Sequence, residues 1–211
     1  MIVIVGESKI SESIVKMLSK MNERVVFMAE SAEEAMRVST DTGAVGVKGN
    51  PASPADIDEL DLRKAKIFVA ATDKEETNVL AALYAKDCGV KSVLAIVHNH
   101  ATAKMLTKLG VVCVDADEQA ARMTELSIAR PAVAKLIAIG EYGMDLVEIS
   151  CRGTRLAGKT FGEIGGAEFR PVALYRDGKF SINPAEFISD DAVLIILCSV
   201  EATKNALRSL S

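Results

Sequence analysis

The chain has 211 residues, enough for one domain or two modest ones with a substantial core. Hydrophobic residues make up 49% and charged residues 26%, the balance of a globular protein, and the net charge of −4 argues against a general nucleic-acid binder. No apolar run approaches the roughly 20 residues that span a bilayer, and the strand-like amino terminus runs straight to Glu7, unlike a secretory leader. Cys88, Cys113, Cys151 and Cys198 are scattered without C-x-x-C spacing, as expected of reduced thiols in a cytosolic protein.

In chain order, Ile2-Val3-Ile4-Val5 reads as a strand ending at Gly6. A helical pattern follows through Ile10, Ile14, Leu18 and Met21, then a second strand at Val25-Val26-Phe27-Met28 ending at Ala29-Glu30. Ala32 to Val38 is a helix capped by Ser31, with Glu33 and Glu34 in its first turn. Ala44 to Val47 is a third strand. Pro54 to Leu60 is a helix with proline near its start, where a missing N–H costs little. Ile67 to Ala70 is a fourth strand. Glu75 to Asp87 is an amphipathic helix with Val79, Leu80 and Leu83 inward, stopped near Gly89. Val93 to Val97, a helix over Ala101 to Leu109, and Val111 to Val114 complete the series. Six short apolar strands alternating with helices predict an α/β fold, a Rossmann-like doubly wound parallel sheet.

From Ala116 the rhythm changes. A helix continues to Ile128, Arg130-Pro131 marks a break, and Ala132 to Ile139 is apolar at helical spacing, with Gly140 and Gly143 flanking a turn. Strands follow at Leu146 to Ile149, Val172 to Tyr175 and Val193 to Leu197, with Asp177-Gly178 as a hairpin signal and Glu201 to Leu210 as a terminal helix. The expected organisation is a Rossmann-like domain with linker helix over 1–134 and a small α+β domain over 135–211.

The first βαβ unit carries the candidate chemistry. Gly6 and the helix start at Glu7, Ser8, Lys9 and Ile10 form an anion site in principle, because backbone N–H groups and the helix dipole favour a phosphate there. A full G-x-G-x-x-G would need glycines at 8 and 11, where Ser8 and Ser11 stand; Lys9 offsets part of that loss with its charge. Without them, the same turn serves structure alone. Ala71-Thr72-Asp73 leave the fourth strand where a cofactor runs in this fold. Thr72 and Asp73 also suit a cap of the following helix, with Asp73 and Glu76 as a capping box. His98-Asn99-His100 lacks the ligand company of a metal centre, and the acidic run Asp56 to Asp61 lacks the spacing of a calcium loop. No nucleophile elbow, H-E-x-x-H or Walker lysine motif is present, so binding rather than catalysis is expected. A nucleotide-dependent oxidoreductase is one alternative, and a ligand-free scaffold subunit that pairs with a nucleotide-binding paralogue is the other.

The ordered set Ile2–Gly6, Gly49-Asn50, Asp61-Leu62, Ala70-Ala71-Thr72-Asp73, Glu76-Thr77-Asn78 and Leu109-Gly110-Val111 resembles the regulator of potassium conductance domain, also called the KTN or TrkA-type domain. Val147-Glu148-Ile149, Leu156 to Thr160 and Asp190 to Leu194 are similar to the TrkA carboxy-terminal domain. The resemblance implies a cytosolic regulatory subunit held at the inner face of the membrane by an integral potassium transporter or channel subunit. It implies assembly as a homo-oligomer, from dimer to octameric ring, or as a hetero-oligomer with a paralogue. The ligand it implies is NAD/NADH or ATP/ADP. In the family an aspartate after the second strand binds the ribose; that position falls on Ala29, with Glu30 one residue later. Asn50 stands where the family has aspartate, and Ile96 where many members have a phosphate-binding arginine. Arg152, Arg155 and Lys159 are compatible with the cyclic-dinucleotide binding of some related domains, and equally with exposed turn charges.

Overall fold

A computed structural model of the chain describes residues 1–20, 23–137, 143–166 and 169–203. The chain divides into two compact units, Met1–Ala121 and Arg122–Ser211.

The first unit is a six-stranded parallel sheet. Its strands are β1 (Ile2–Val5), β2 (Val25–Ala29), β3 (Val45–Lys48), β4 (Ile67–Ala70), β5 (Ser92–Val97) and β6 (Val112–Asp115), in the order β3-β2-β1-β4-β5-β6. The helices are α1 (Lys9–Leu18), α2 (Ala32–Thr42), α3 (Pro54–Asp58), α4 (Glu75–Asp87) and α5 (His100–Lys108). A further helix, α6 (Ala116–Ala129), begins here and runs past the division at Ala121. All four β1 residues are buried because the sheet is covered on both faces. Ile2 and Ile4 join a cluster with Val15 of α1 and Val38 of α2, while Val3 and Val5 join another with Ala81, Ala82 and Ala85 of α4. The predicted doubly wound sheet is thus the observed one.

Details of α4 differ from expectation. Leu80 is 59% exposed, and the buried face is Asn78, Ala81, Ala82 and Ala85. Three alanines let the helix lie close on the sheet, where a leucine would hold it off. The strand expected at Val111 to Val114 starts and ends one residue later, which makes Asp115 its last residue.

The second unit is a four-stranded antiparallel sheet preceded by α7 (Pro131–Ile137). Its strands are β7 (Met144–Ser150), β8 (Phe169–Arg176), β9 (Lys179–Ser181) and β10 (Val193–Ser199), in the order β7-β10-β8-β9. Asp177 and Gly178 join β8 to β9 with φ of 49° and 77°, the left-handed pair that a two-residue hairpin requires. Ile149, Leu156, Phe161, Leu174, Leu194 and Ile196 anchor its core. Met21, Ile139, Gly140 and most of the helix expected over Glu201 to Leu210 lie outside the described residues. The four cysteines are free thiols; burial pushes those of Cys113 and Cys151 up.

Candidate ligand-binding site

Strand order reverses at β1 and β4. The chain runs outward from β1 to β2 and β3, then returns to β4 on the other side of β1. In open α/β sheets the crevice at the carboxyl ends of such strands is the ligand site. Gly6 follows β1 there, and Ala71 and Thr72 follow β4.

Gly6 is fixed by two independent constraints. Its φ is +130°, and an added Cβ would stand 2.5 Å from Thr72 N and 2.6 Å from the Ala71 carbonyl carbon and oxygen. The loop therefore lies directly on the end of β4. Ser8 and Ser11 then close it. Ser8 caps α1 by accepting the Ser11 N–H at 3.0 Å, and the Ser11 hydroxyl accepts the Ser8 N–H at 3.0 Å, a reciprocal capping box. The Ser8 hydroxyl also reaches the Ala71 carbonyl at 2.6 Å, and the Ser11 hydroxyl donates to the Gly6 carbonyl at 2.8 Å. The serines that replace the fingerprint glycines thus bind the loop to itself and to β4.

On the other side of the crevice, Asn78 of α4 is fully buried. Its Oδ1 accepts the Thr72 N–H at 2.7 Å, and its Nδ2 donates to the Thr72 carbonyl at 3.0 Å and the Ile96 carbonyl at 2.9 Å. The Thr72 hydroxyl lies 2.8 Å from the same Oδ1 and accepts the Lys74 N–H at 3.1 Å. This corrects the expected Asp73–Glu76 capping box. The residue preceding α4 is Lys74, which makes no side-chain cap, and Asp73 is exposed. Asn78 ties the ends of β4 and β5 together, a role that a polar residue inside an amphipathic pattern does not announce.

The remaining predicted residues spread around this frame. The Glu7 carboxylate accepts the Ser31 N–H at 3.1 Å, joining the loop to the start of α2. Lys9 and Ile10 are exposed in the first turn of α1; the Lys9 carbonyl accepts the Ser13 hydroxyl at 2.9 Å, and its ammonium makes no hydrogen bond or ion pair among the described residues. Ala29 is buried, and Glu30 is exposed just beyond β2. Asn50 is committed locally: its N–H donates to Asp56 Oδ2 at 2.7 Å and its Oδ1 accepts the Ala52 N–H at 2.8 Å. That bond, with the Ser53 hydroxyl second, holds the Asp56 carboxyl below its ordinary range. Ile96 is buried and supplies only its carbonyl, to Asn78. In the second unit Arg152, Arg155 and Lys159 are exposed and none lines its cleft of ≈ 380 Å³, which carries Arg176, Lys179, Phe180 and Phe187 beside the hairpin.

Further along the same edge, Glu75 Oε2 accepts the N–H groups of His98 and Asn99 at 2.6 and 2.9 Å. The Thr102 hydroxyl foremost, then these backbone donors, hold its carboxyl below the usual range.

Residues 2–124, more than half of the chain, match the TrkA-N domain family. The chain belongs to the TrkA-N domain family. It is 24% identical over 210 residues to a Trk system potassium uptake protein TrkA homolog of Methanothermobacter thermautotrophicus, covering 98% of this chain and 97% of that one. Two longer relatives of like description, from Vibrio alginolyticus and Archaeoglobus fulgidus, are each 24% identical; this TrkA-N chain spans 37% and 46% of their length. Among solved structures, the human SLO3 gating ring is similar with a TM-score of 0.65 at 11% identity, over 99% of this chain and 45% of that one. The NAD(P)-binding domain of an exopolyphosphatase-related protein from Archaeoglobus fulgidus is similar with a TM-score of 0.54 at 15% identity, over 61% and 97%. These structural likenesses are likenesses of fold. Among the described residues no helix is long and apolar enough to cross a membrane.

Proposed function

We infer that this TrkA-N protein is a regulatory subunit of a potassium uptake transporter or channel. It acts in the cytoplasm at the inner face of the membrane, in a ring with copies of itself or a paralogue. The observation that carries the reading is the end-to-end alignment with a TrkA homolog over both units, 98% of one chain and 97% of the other. Its chemistry is binding with unequal affinity for two states of the ring, and no bond is made or broken.

The ligand of the first unit is an adenine nucleotide, NAD/NADH or ATP/ADP, at the β1–β4 crevice. Gly6 keeps the turn that brings α1 to the switch point; Lys9 and Glu30 are exposed beside it, suited to phosphate and to ribose hydroxyls. A fold shared with a domain described as NAD(P)-binding supports this placement. The self-bonded pair Ser8–Ser11 favours a second reading, a scaffold subunit with no small ligand that pairs with a nucleotide-binding paralogue.

Calorimetric titration of NAD, NADH, ATP and ADP separates the two. On the first reading one of them binds the wild-type chain at micromolar strength, and Lys9→Ala weakens it by at least about tenfold, the worth of one charge-assisted hydrogen bond. On the second, the wild type gives no heat, while Ser8→Gly/Ser11→Gly, which frees the loop N–H groups, gains binding. Absence of heat from both proteins removes the nucleotide from this crevice.

A further inference from the structure

His100, Asp115 and Glu118 come from three elements, the start of α5, the end of β6 and the first turn of α6. One ligand atom from each lies within 4.8 Å of the others. His100 Nδ1 stands 3.7 Å from Asp115 Oδ2 and 3.7 Å from Glu118 Oε2, too far for hydrogen bonds. Asp115 is nine-tenths buried. Its Oδ1 accepts the Glu118 N–H at 3.1 Å, which fixes the carboxylate, and its Oδ2 accepts no hydrogen bond among the described residues. A buried carboxylate oxygen directed at an imidazole nitrogen, with a second carboxylate at the same distance, brings three donor atoms of metal-ligand type to one point.

We propose that His100, Asp115 and Glu118 are the protein ligands of a divalent transition-metal ion of the zinc class. An ion held tetrahedrally at 2.0–2.2 Å sets its ligand atoms about 3.4 Å apart. The two imidazole–carboxylate distances of 3.7 Å are within a few tenths of an ångström of that. One nitrogen and two carboxylate donors suit zinc, cobalt or manganese, whereas calcium and magnesium take oxygen shells of six or more. Two carboxylates neutralise the ion, and three protein donors leave a coordination position for water or an anion. The ion joins α5, β6 and the first turn of α6, so it stiffens the root of the helix that continues past Ala121. The competing arrangement is His100 lying between the two carboxylates with no ion.

The test is calorimetry of the full chain, stripped with chelator and titrated with zinc, cobalt(II), calcium or magnesium chloride. Variants are His100→Ala, Asp115→Asn and His98→Ala. Asparagine at 115 keeps an acceptor for the Glu118 N–H, so the cap survives, and metal-free unfolding midpoints check that each variant folds. His98 is the control: its Nδ1 faces Asp117 Oδ1 at 3.2 Å, outside the triad. The expected result is one zinc or cobalt per chain, weakened at least about tenfold by His100→Ala and by Asp115→Asn and unchanged by His98→Ala. Visible absorption of the cobalt form supplies a second readout of the imidazole–carboxylate set. The proposal is overturned by no zinc binding, by equal binding to His100→Ala, by an equal loss in His98→Ala, or by calcium or magnesium binding in place of zinc.

Discussion

The two ends of one sheet edge handle polar groups in opposite ways. Where β1 and β4 finish, Gly6, Ser8, Ser11, Thr72 and Asn78 satisfy one another, and the crevice is held by bonds of 2.6–3.0 Å. Where β5 and β6 finish, His100 faces two carboxylates at 3.7 Å without bonding either. The first end belongs to the fingerprint and has turned its polar groups to internal use; the second has no fingerprint and keeps an imidazole facing two carboxylates. In this TrkA-N unit, the stretch that looks like a ligand site is also a structural joint. Ligand chemistry beyond it must come from exposed Lys9 and Glu30 or from groups elsewhere on the edge.

The largest expected effect tests the closed end. Gly6→Ala puts a Cβ against the backbone of Ala71 and Thr72 at 2.5–2.6 Å in a conformation that L residues rarely adopt. The strain and overpacking together cost about 3 kcal/mol or more. Urea unfolding reads it directly, and a cost below about 1 kcal/mol would mean the loop does not rest on β4. Asn78→Ala is next. It leaves the Thr72 N–H and the Thr72 and Ile96 carbonyls without their buried partner, at about 2–4 kcal/mol by the same measurement. A near-neutral outcome would show that the joint does not depend on its asparagine.

The sheet was readable because its strands are short apolar runs, and the alternation of Ile2 and Ile4 with Val3 and Val5 serves two covered faces. Helix details were less so. Periodicity marks an apolar stripe, but not the approach so close that only Ala81, Ala82 and Ala85 fit, which leaves Leu80 outside. Ser8 and Ser11 read as obstacles to a phosphate. Their positive role depends on a hydroxyl reaching the Ala71 carbonyl, sixty-three residues away in the chain. Asn78 and the His100–Asp115–Glu118 group were hidden for the same reason, since their partners meet only when β4, β5 and β6 lie side by side.

The smallest effect concerns the boundary between the two ends. Glu75, at the start of α4, clasps the His98–Asn99 turn through Oε2, and its carboxyl is held below the ordinary 4.5 by the Thr102 hydroxyl and by those backbone N–H groups. A carboxyl that is more acidic folded than unfolded contributes stability above its unfolded value. That contribution fades as the pH falls from about 4.5 through the lowered folded value. Glu75→Gln keeps an oxygen acceptor but removes the charge, so at pH 7 it costs about 1 kcal/mol or less. It also flattens the acid limb of the stability curve, and the difference between wild type and variant shrinks as the pH drops below 4.5. Unfolding midpoints measured from pH 7 to pH 3 give both numbers. A constant difference across that range would place the Glu75 contribution in packing rather than charge.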